Sequence, residues 1–142
     1  MPKRTKPKKR RKPNLKAPNS ATWKKKADNL WGELIRQVGH CEVCGSTGQL
    51  NAHHIISRTR LRFRHDLSNG VCLCVRCHQF DTSISPHQDS YGAENFLEWL
   101  KMEREGQWRW YEDNKCDKRK PEKTYKQSYE ELKEIEDAGR TS

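Results

Sequence analysis

Two cysteine pairs, CEVC (Cys41 and Cys44) and CVRC (Cys74 and Cys77), constrain this chain more than any other feature. Two intervening residues let the backbone turn tightly enough for both sulfurs to reach one zinc ion at about 2.3 Å, and two such turns complete a tetrahedron. Gly45 follows the first pair, where a missing Cβ eases the turn. The spacing therefore predicts a closed four-thiolate zinc site, structural because no coordination position stays open. A staple of this kind suits a chain of 142 residues with 32% hydrophobic and 34% charged side chains, which has room for one modest domain and little apolar surface to bury.

The gap between the pairs is too long for a simple zinc ribbon, so a substantial insertion lies between them. Cys72, one residue away from Cys74, is too close to form a knuckle with it and reads as a small buried strand residue. Cys116 stands alone in a charged stretch and reads as a free exposed thiol. No apolar run is long enough to span a bilayer, and no apolar stretch of the secretory type follows the basic N-terminus. The expectation is a protein of the cytoplasm, without a membrane partner, where a reducing environment keeps cysteines as thiolates for metal.

The formal net charge of +10 is concentrated at one end. Residues 1–16 contain nine Lys or Arg and no acid, which leaves 20 basic against 19 acidic side chains in the remainder. Residues 1–20 read as a disordered basic arm, since lysine, arginine and proline with almost nothing apolar cannot offset the entropy of ordering. Lys8, Lys9, Arg10 and Arg11 lie in this arm, and such a cluster suits sequence-independent contact with the phosphates of a polyanion such as DNA.

After the arm, Trp23, Ala27, Leu30, Trp31, Leu34, Ile35 and Val38 recur at spacings of three and four. That period predicts a helix over 22–38, capped by Ser20 or Thr22 and stopped by Gly39. A second helix is expected over 93–105, ended by Gly106. Trp108 and Trp110 alternate like strand residues, with both indoles against the core or, as the alternative, stacking on bases. Residues 127–138 read as a peripheral surface helix with a capping box at Ser128 and Glu131. The domain organisation expected is the arm, a domain over 21–111 with its core motif at 41–82, and a charged extension over 112–142.

The insertion reads LNAHHIISRTRLRFRHDLSNGVCLC. On an extended strand adjacent side chains point to opposite faces, so His53 and His54 take different tasks, one holding a metal and the other handling a proton. A lone histidine is usually a surface or satisfied side chain, and His40, His65 and His87 are read that way. The run AHHII, then Asn69-Gly70, then LCVRCH resembles the zinc-containing branch of the HNH, or ββα-metal (His-Me finger), endonucleases over Cys41 to Thr82. The resemblance implies an α+β fold: a small ββα-metal module, stapled by a four-cysteine zinc and flanked by helices. It implies that His53 and His78 bind a catalytic divalent ion, that His54 is the general base, and that Asn69 bonds across the hairpin loop to hold that base in its working orientation.

Some members carry a further histidine four residues after the position of His78, where this chain has Thr82. The expected protein ligand set is then two histidines, completed by water, substrate phosphate and Asp81. Magnesium or manganese would suit such a shell, with nickel or zinc as alternatives. The resemblance implies a metal-dependent DNA endonuclease, phage-like in type, leaving 5′-phosphate and 3′-hydroxyl ends. A nuclease for branched DNA, a catalytically silent zinc-organised DNA-binding module and an accessory factor for DNA packaging are the alternatives. Arg58, Arg60, Arg62 and Arg64 alternate with other residues, and an extended backbone would present them as a row of guanidinium groups to DNA phosphates.

Overall fold

The computed structural model describes residues 17–140. Most of the basic arm, with Lys8, Lys9, Arg10 and Arg11, lies outside the described residues. Its last four positions were expected to be disordered too, but Pro18 and Asn19 among them dock onto the C-terminal helix. Asn19 Oδ1 accepts from Tyr125 N at 3.1 Å and the Pro18 carbonyl accepts from Lys126 N at 3.0 Å.

Helix α1 (Ala21–Arg36) opens where Ser20 Oγ accepts from Trp23 N. Its apolar stripe, Leu30 and Trp31 with Leu34 and Ile35, turns inward. It stops at Arg36 rather than at 38, because Gly39 at φ +81° donates to the Arg36 carbonyl and turns the chain away. Val38 therefore leaves the stripe and is 45% exposed.

Strands β1 (Leu50–His54) and β2 (Gly70–Cys74) pair antiparallel, with His54 opposite Gly70 and His53 opposite Val71. The two-residue period assigns Ala52, His54, Gly70 and Cys72 to one face and His53, Val71 and Leu73 to the other. The first face packs on α1. A Cβ on Gly70 would stand 2.1 Å from Ile35 Cδ1 and 2.9 Å from Trp31 Cζ2, so only glycine lets the helix approach this closely. The second face packs on α2 (Ser90–Glu103), where Phe96 and Leu100 join Val71 and Leu73 in the main core. Both faces of β2 are covered, so Cys72 is buried as its apolar strand setting requires, and burial pushes its thiol up to about 11.

The element after β2 is a single wide turn (Arg76–Phe80) closed by Asp81 N donating to the Arg76 carbonyl five residues back. Helix α2 begins earlier than the pattern implies, because Asp89 caps it through Gly92 N.

Four sequence expectations fail in the C-terminal third. Residues 108–110 are not a strand but part of helix α3 (Glu105–Asn114). The alternating aromatics mark two sides of that helix: Trp108 packs with Tyr111 on the main core, whereas Trp110 meets Phe63 edge-on at 5.6 Å. Gly106 does not end a helix; the break falls at Arg104, whose φ of −137° and ψ of 61° leave the helical range. Helix α4 (Tyr125–Arg140) is capped by Thr124 and Gln127, each side chain accepting from the other's backbone N–H, and not by Ser128 and Glu131. It is not peripheral, since Leu132 is buried against Leu30 and Trp31 of α1. No helix among the described residues is long and apolar enough to cross a membrane.

Candidate metal centres

The ligand sulfurs of Cys41, Cys44, Cys74 and Cys77 lie within 4.8 Å of one another, as the paired spacing requires. Cys44 Sγ and Cys74 Sγ are 3.6 Å apart. Sulfurs bound tetrahedrally at about 2.3 Å stand about 3.8 Å apart, so this cluster has the dimensions of a structural zinc site. Local backbone geometry builds it. Gly45 at φ +79° donates to the Cys41 carbonyl and closes the first turn, and Cys77 N points at Cys74 Sγ in the second. A backbone hydrogen bond from Ser46 pulls the Cys44 thiol down to about 7, toward the thiolate a metal needs. Cys116 is exposed and far from this chemistry in the chain, as expected of it.

A second cluster forms one residue further along. His53, His78 and His87 offer ring nitrogens within 4.8 Å of one another. His53 and His78 have ring centroids 5.2 Å apart, and His87 lies 4.9 Å from the first and 4.5 Å from the second. The Nε2 atoms of His78 and His87 are 2.9 Å apart. Two nitrogens bound to one ion at about 2.0–2.1 Å stand about 3.0–3.4 Å apart, so this separation is close to that of shared ligands. The other ring nitrogen of His78, Nδ1, is buried with no hydrogen-bond partner among the described residues.

Burial favours the neutral, electron-donating form of His53 and His78. It is the main cause that carries His53 well below the ordinary histidine value, helped by the charge on His78 and His87. It brings His78 down to about 4, with His87 again adding to the effect.

His87 corrects the sequence reading, which treated it as an ordinary surface or satisfied side chain and left two histidines as the ligand set. Ser85 draws it in, donating from Oγ to the His78 carbonyl at 2.7 Å and accepting from His87 N. Gly92 makes room, since a Cβ there would stand 2.6 Å from the Ser85 carbonyl oxygen. The loop can thus lie flat on the first turn of α2, and nine residues rather than four separate the two histidines. Asp81, expected to complete the shell, instead accepts from Ser83 N and Oγ.

His54 lies on the opposite face of β1, stacked on Trp31 with centroids 3.9 Å apart and planes 10° from parallel. Its Nε2 is 2.9 Å from the Arg64 carbonyl, which can only accept. That nitrogen therefore carries the proton, and Nδ1 keeps the lone pair. Burial lowers the His54 value, partly opposed by the same carbonyl bond.

Asn69 is fully buried and does not touch His54. Its Oδ1 accepts from Ile56 N at 2.6 Å, while Nδ2 donates to the carbonyls of Ile56 and Phe63 at 2.9 and 3.1 Å. It closes the loop whose next residue, Arg64, accepts the hydrogen bond from His54 Nε2 through its carbonyl.

Residues 41–83 match a family model described as HNH endonuclease. This segment is similar to an HNH endonuclease domain. No curated protein and no solved structure matches the chain. The HNH segment includes both cysteine pairs, His53, His54, Asn69 and His78, whereas His87 lies four residues beyond its end.

The HNH loop does not present the expected row of arginines, because it folds as successive turns rather than as a strand. Arg60 donates to the carbonyls of Asp117 and Lys115, Arg62 to the Lys120 carbonyl and to Glu122, and Arg64 to both oxygens of Asp28. These three guanidinium groups tie the loop to α1 and to the α3–α4 connection. Arg58 is the one whose side chain lines the cavity of about 660 Å³ shared by His53, His54, His78 and His87.

Proposed function

We propose that this protein is a metal-dependent DNA endonuclease. The observation that carries the proposal is the convergence of three imidazoles on one point, in the same cavity as a fourth imidazole whose free nitrogen is defined.

His53, His78 and His87 would hold one divalent ion. Three imidazole donors with no carboxylate among them favour nickel or zinc over manganese and magnesium, which prefer oxygen ligands. When bound, the ion supplies Lewis-acid stabilisation of the charge that grows on the attacked phosphate. The four-cysteine zinc would have no open position and serves the fold alone.

The chain's own residues account for the proton. His54 Nδ1 accepts a proton from water as the oxygen attacks phosphorus, and the imidazole becomes a cation while its Nε2–H stays on the Arg64 carbonyl. The bond from phosphorus to the 3′ oxygen breaks, and that oxygen takes a proton from solvent. The ends are a 5′-phosphate and a 3′-hydroxyl. Arg58 in the cavity wall and the cations Lys8, Lys9, Arg10 and Arg11 of the arm would contact flanking phosphates, an interaction that weakens steeply with salt. Arg60, Arg62 and Arg64 act on the loop and not on DNA.

The test is incubation of supercoiled plasmid with the zinc-loaded protein and manganese, nickel or magnesium, alongside His54→Ala. Nicked or linear DNA from the wild type is expected, with a rate lower by about 10²–10⁴ in the variant, the range for losing a general base. Equal rates in the two proteins would remove His54 from the chemistry. DNA binding with no cleavage under any ion would leave a zinc-organised binding module in place of a nuclease.

A further inference from the structure

The HNH match begins at residue 41, yet two of the residues that touch the loop around the base histidine come from α1, before it. Asp28 and Trp31 are three apart and share one face of that helix. Between them they contact three consecutive residues of the HNH loop. Asp28 grips the Arg64 guanidinium with both carboxylate oxygens, at 2.7 and 2.9 Å, and its Oδ1 also lies 2.7 Å from His65 Nε2. Trp31 Nε1 donates to the Asp66 carbonyl at 2.9 Å, which fixes the indole in its own plane. That indole is 3% exposed and carries the His54 ring on its face.

We propose that α1 is the positioning element for His54, with Trp31 setting the plane of the ring and Asp28, through Arg64, setting the carbonyl that fixes its tautomer. This rests on the reading of His54 as general base. Neither residue reaches the reacting atoms, so each acts through another group. The Arg64 carbonyl belongs to a loop of turns, and a loop carbonyl moves unless its flanks are held. On one side Asn69 holds the Phe63 carbonyl, and on the other Asp28 holds the Arg64 and His65 side chains. Releasing the second hold would let the carbonyl swing away, and with it the preference for a proton on Nε2. The Nδ1 lone pair would then be present only part of the time. The stack confines the ring to one plane, so rotation about its Cβ–Cγ bond is restricted as well.

The experiment uses the full chain loaded with zinc and manganese, in three forms: wild type, Asp28→Asn and Asp28→Glu, with Trp31→Phe as a variant that keeps a stacking ring but loses the N–H. A displacement of about 1 Å in a catalytic group can reduce rate about 10²-fold, so Asp28→Asn is expected to lower kcat by about ten- to hundredfold. KM for DNA and manganese affinity should change less than about twofold, because the three ligating imidazoles are untouched, and Asp28→Glu should recover part of the loss. Nitrogen chemical shifts of His54 give a readout independent of turnover: the wild type should show one tautomer, protonated at Nε2, and Asp28→Asn or Trp31→Phe a mixture.

Unchanged kcat together with an unchanged His54 tautomer in Asp28→Asn and Trp31→Phe would overturn the proposal. Loss of manganese binding in parallel with kcat would overturn it too, since the helix would then support the whole site and not the base. Absence of cleavage by the wild type would sink the nuclease reading, and the nitrogen shifts would still decide whether α1 controls the His54 tautomer.

Discussion

The thiol cluster and the imidazole cluster meet on one five-residue turn, yet they differ in donor number and in enclosure. Cys77 faces the first and its neighbour His78 the second. Four donors close a tetrahedron, with three of the four cysteines buried. Three donors would leave an ion open to further ligands, and these donors line a cavity of about 660 Å³. On the proposed reading the nature of the donor follows use: the thiolates would hold zinc for folding, and the imidazoles would hold an ion that must still exchange water and phosphate.

The largest effect should come from the closed side. Cys77→Ser removes one thiolate from a type of site worth about 10 kcal/mol or more in small zinc domains, comparable to the whole stability of a domain. The variant should lose its cooperative thermal transition, and with it both clusters; a cooperative transition near that of the wild type would show that the thiols are not what holds the fold. His87→Ala should do the reverse. Its melting curve should keep its shape while cleavage falls by about 10²–10³, the scale of losing one group that stabilises developing charge. If His87→Ala instead unfolds the chain, the division between a folding site and a reactive site breaks down.

Two smaller effects sharpen the comparison by touching the loop and the periphery. Asn69→Ala strips partners from buried groups of Ile56 and Phe63, and an unsatisfied buried group costs about 1–3 kcal/mol. A fall of about 3 kcal/mol in urea unfolding is expected, with zinc content unchanged. Thr124→Ala should lower stability by about 1 kcal/mol through loss of the α4 cap, measured the same way, and leave both clusters intact.

The same contrast explains what could be read from the chain in advance. The thiols announce themselves because each pair is local, and two intervening residues suffice to fix the turn. His53 and His54 are legible for a similar reason, since strand alternation sends them to opposite faces of β1 without further information. His87 is not, because its place depends on Gly92 admitting a loop and on Ser85 pinning it, contacts that no spacing rule encodes. The register of α1 was visible in its three-four period. Helix α3 was not, as three aromatics within four residues fit either a strand or two sides of a helix. The arginine row failed on its partners: Asp28, Asp117 and Glu122 lie far away in sequence, and they draw the guanidinium groups inward.

On the proposed reading, adjacency of Cys77 and His78 would impose an order of assembly. Without zinc to close the turn, His78 would have no fixed direction in which to offer its nitrogen, so the second ion would be captured by a chain that already holds the first. A chelator that strips zinc should therefore silence the protein in a way that manganese alone does not reverse, and activity should return only when zinc is restored before the other metal.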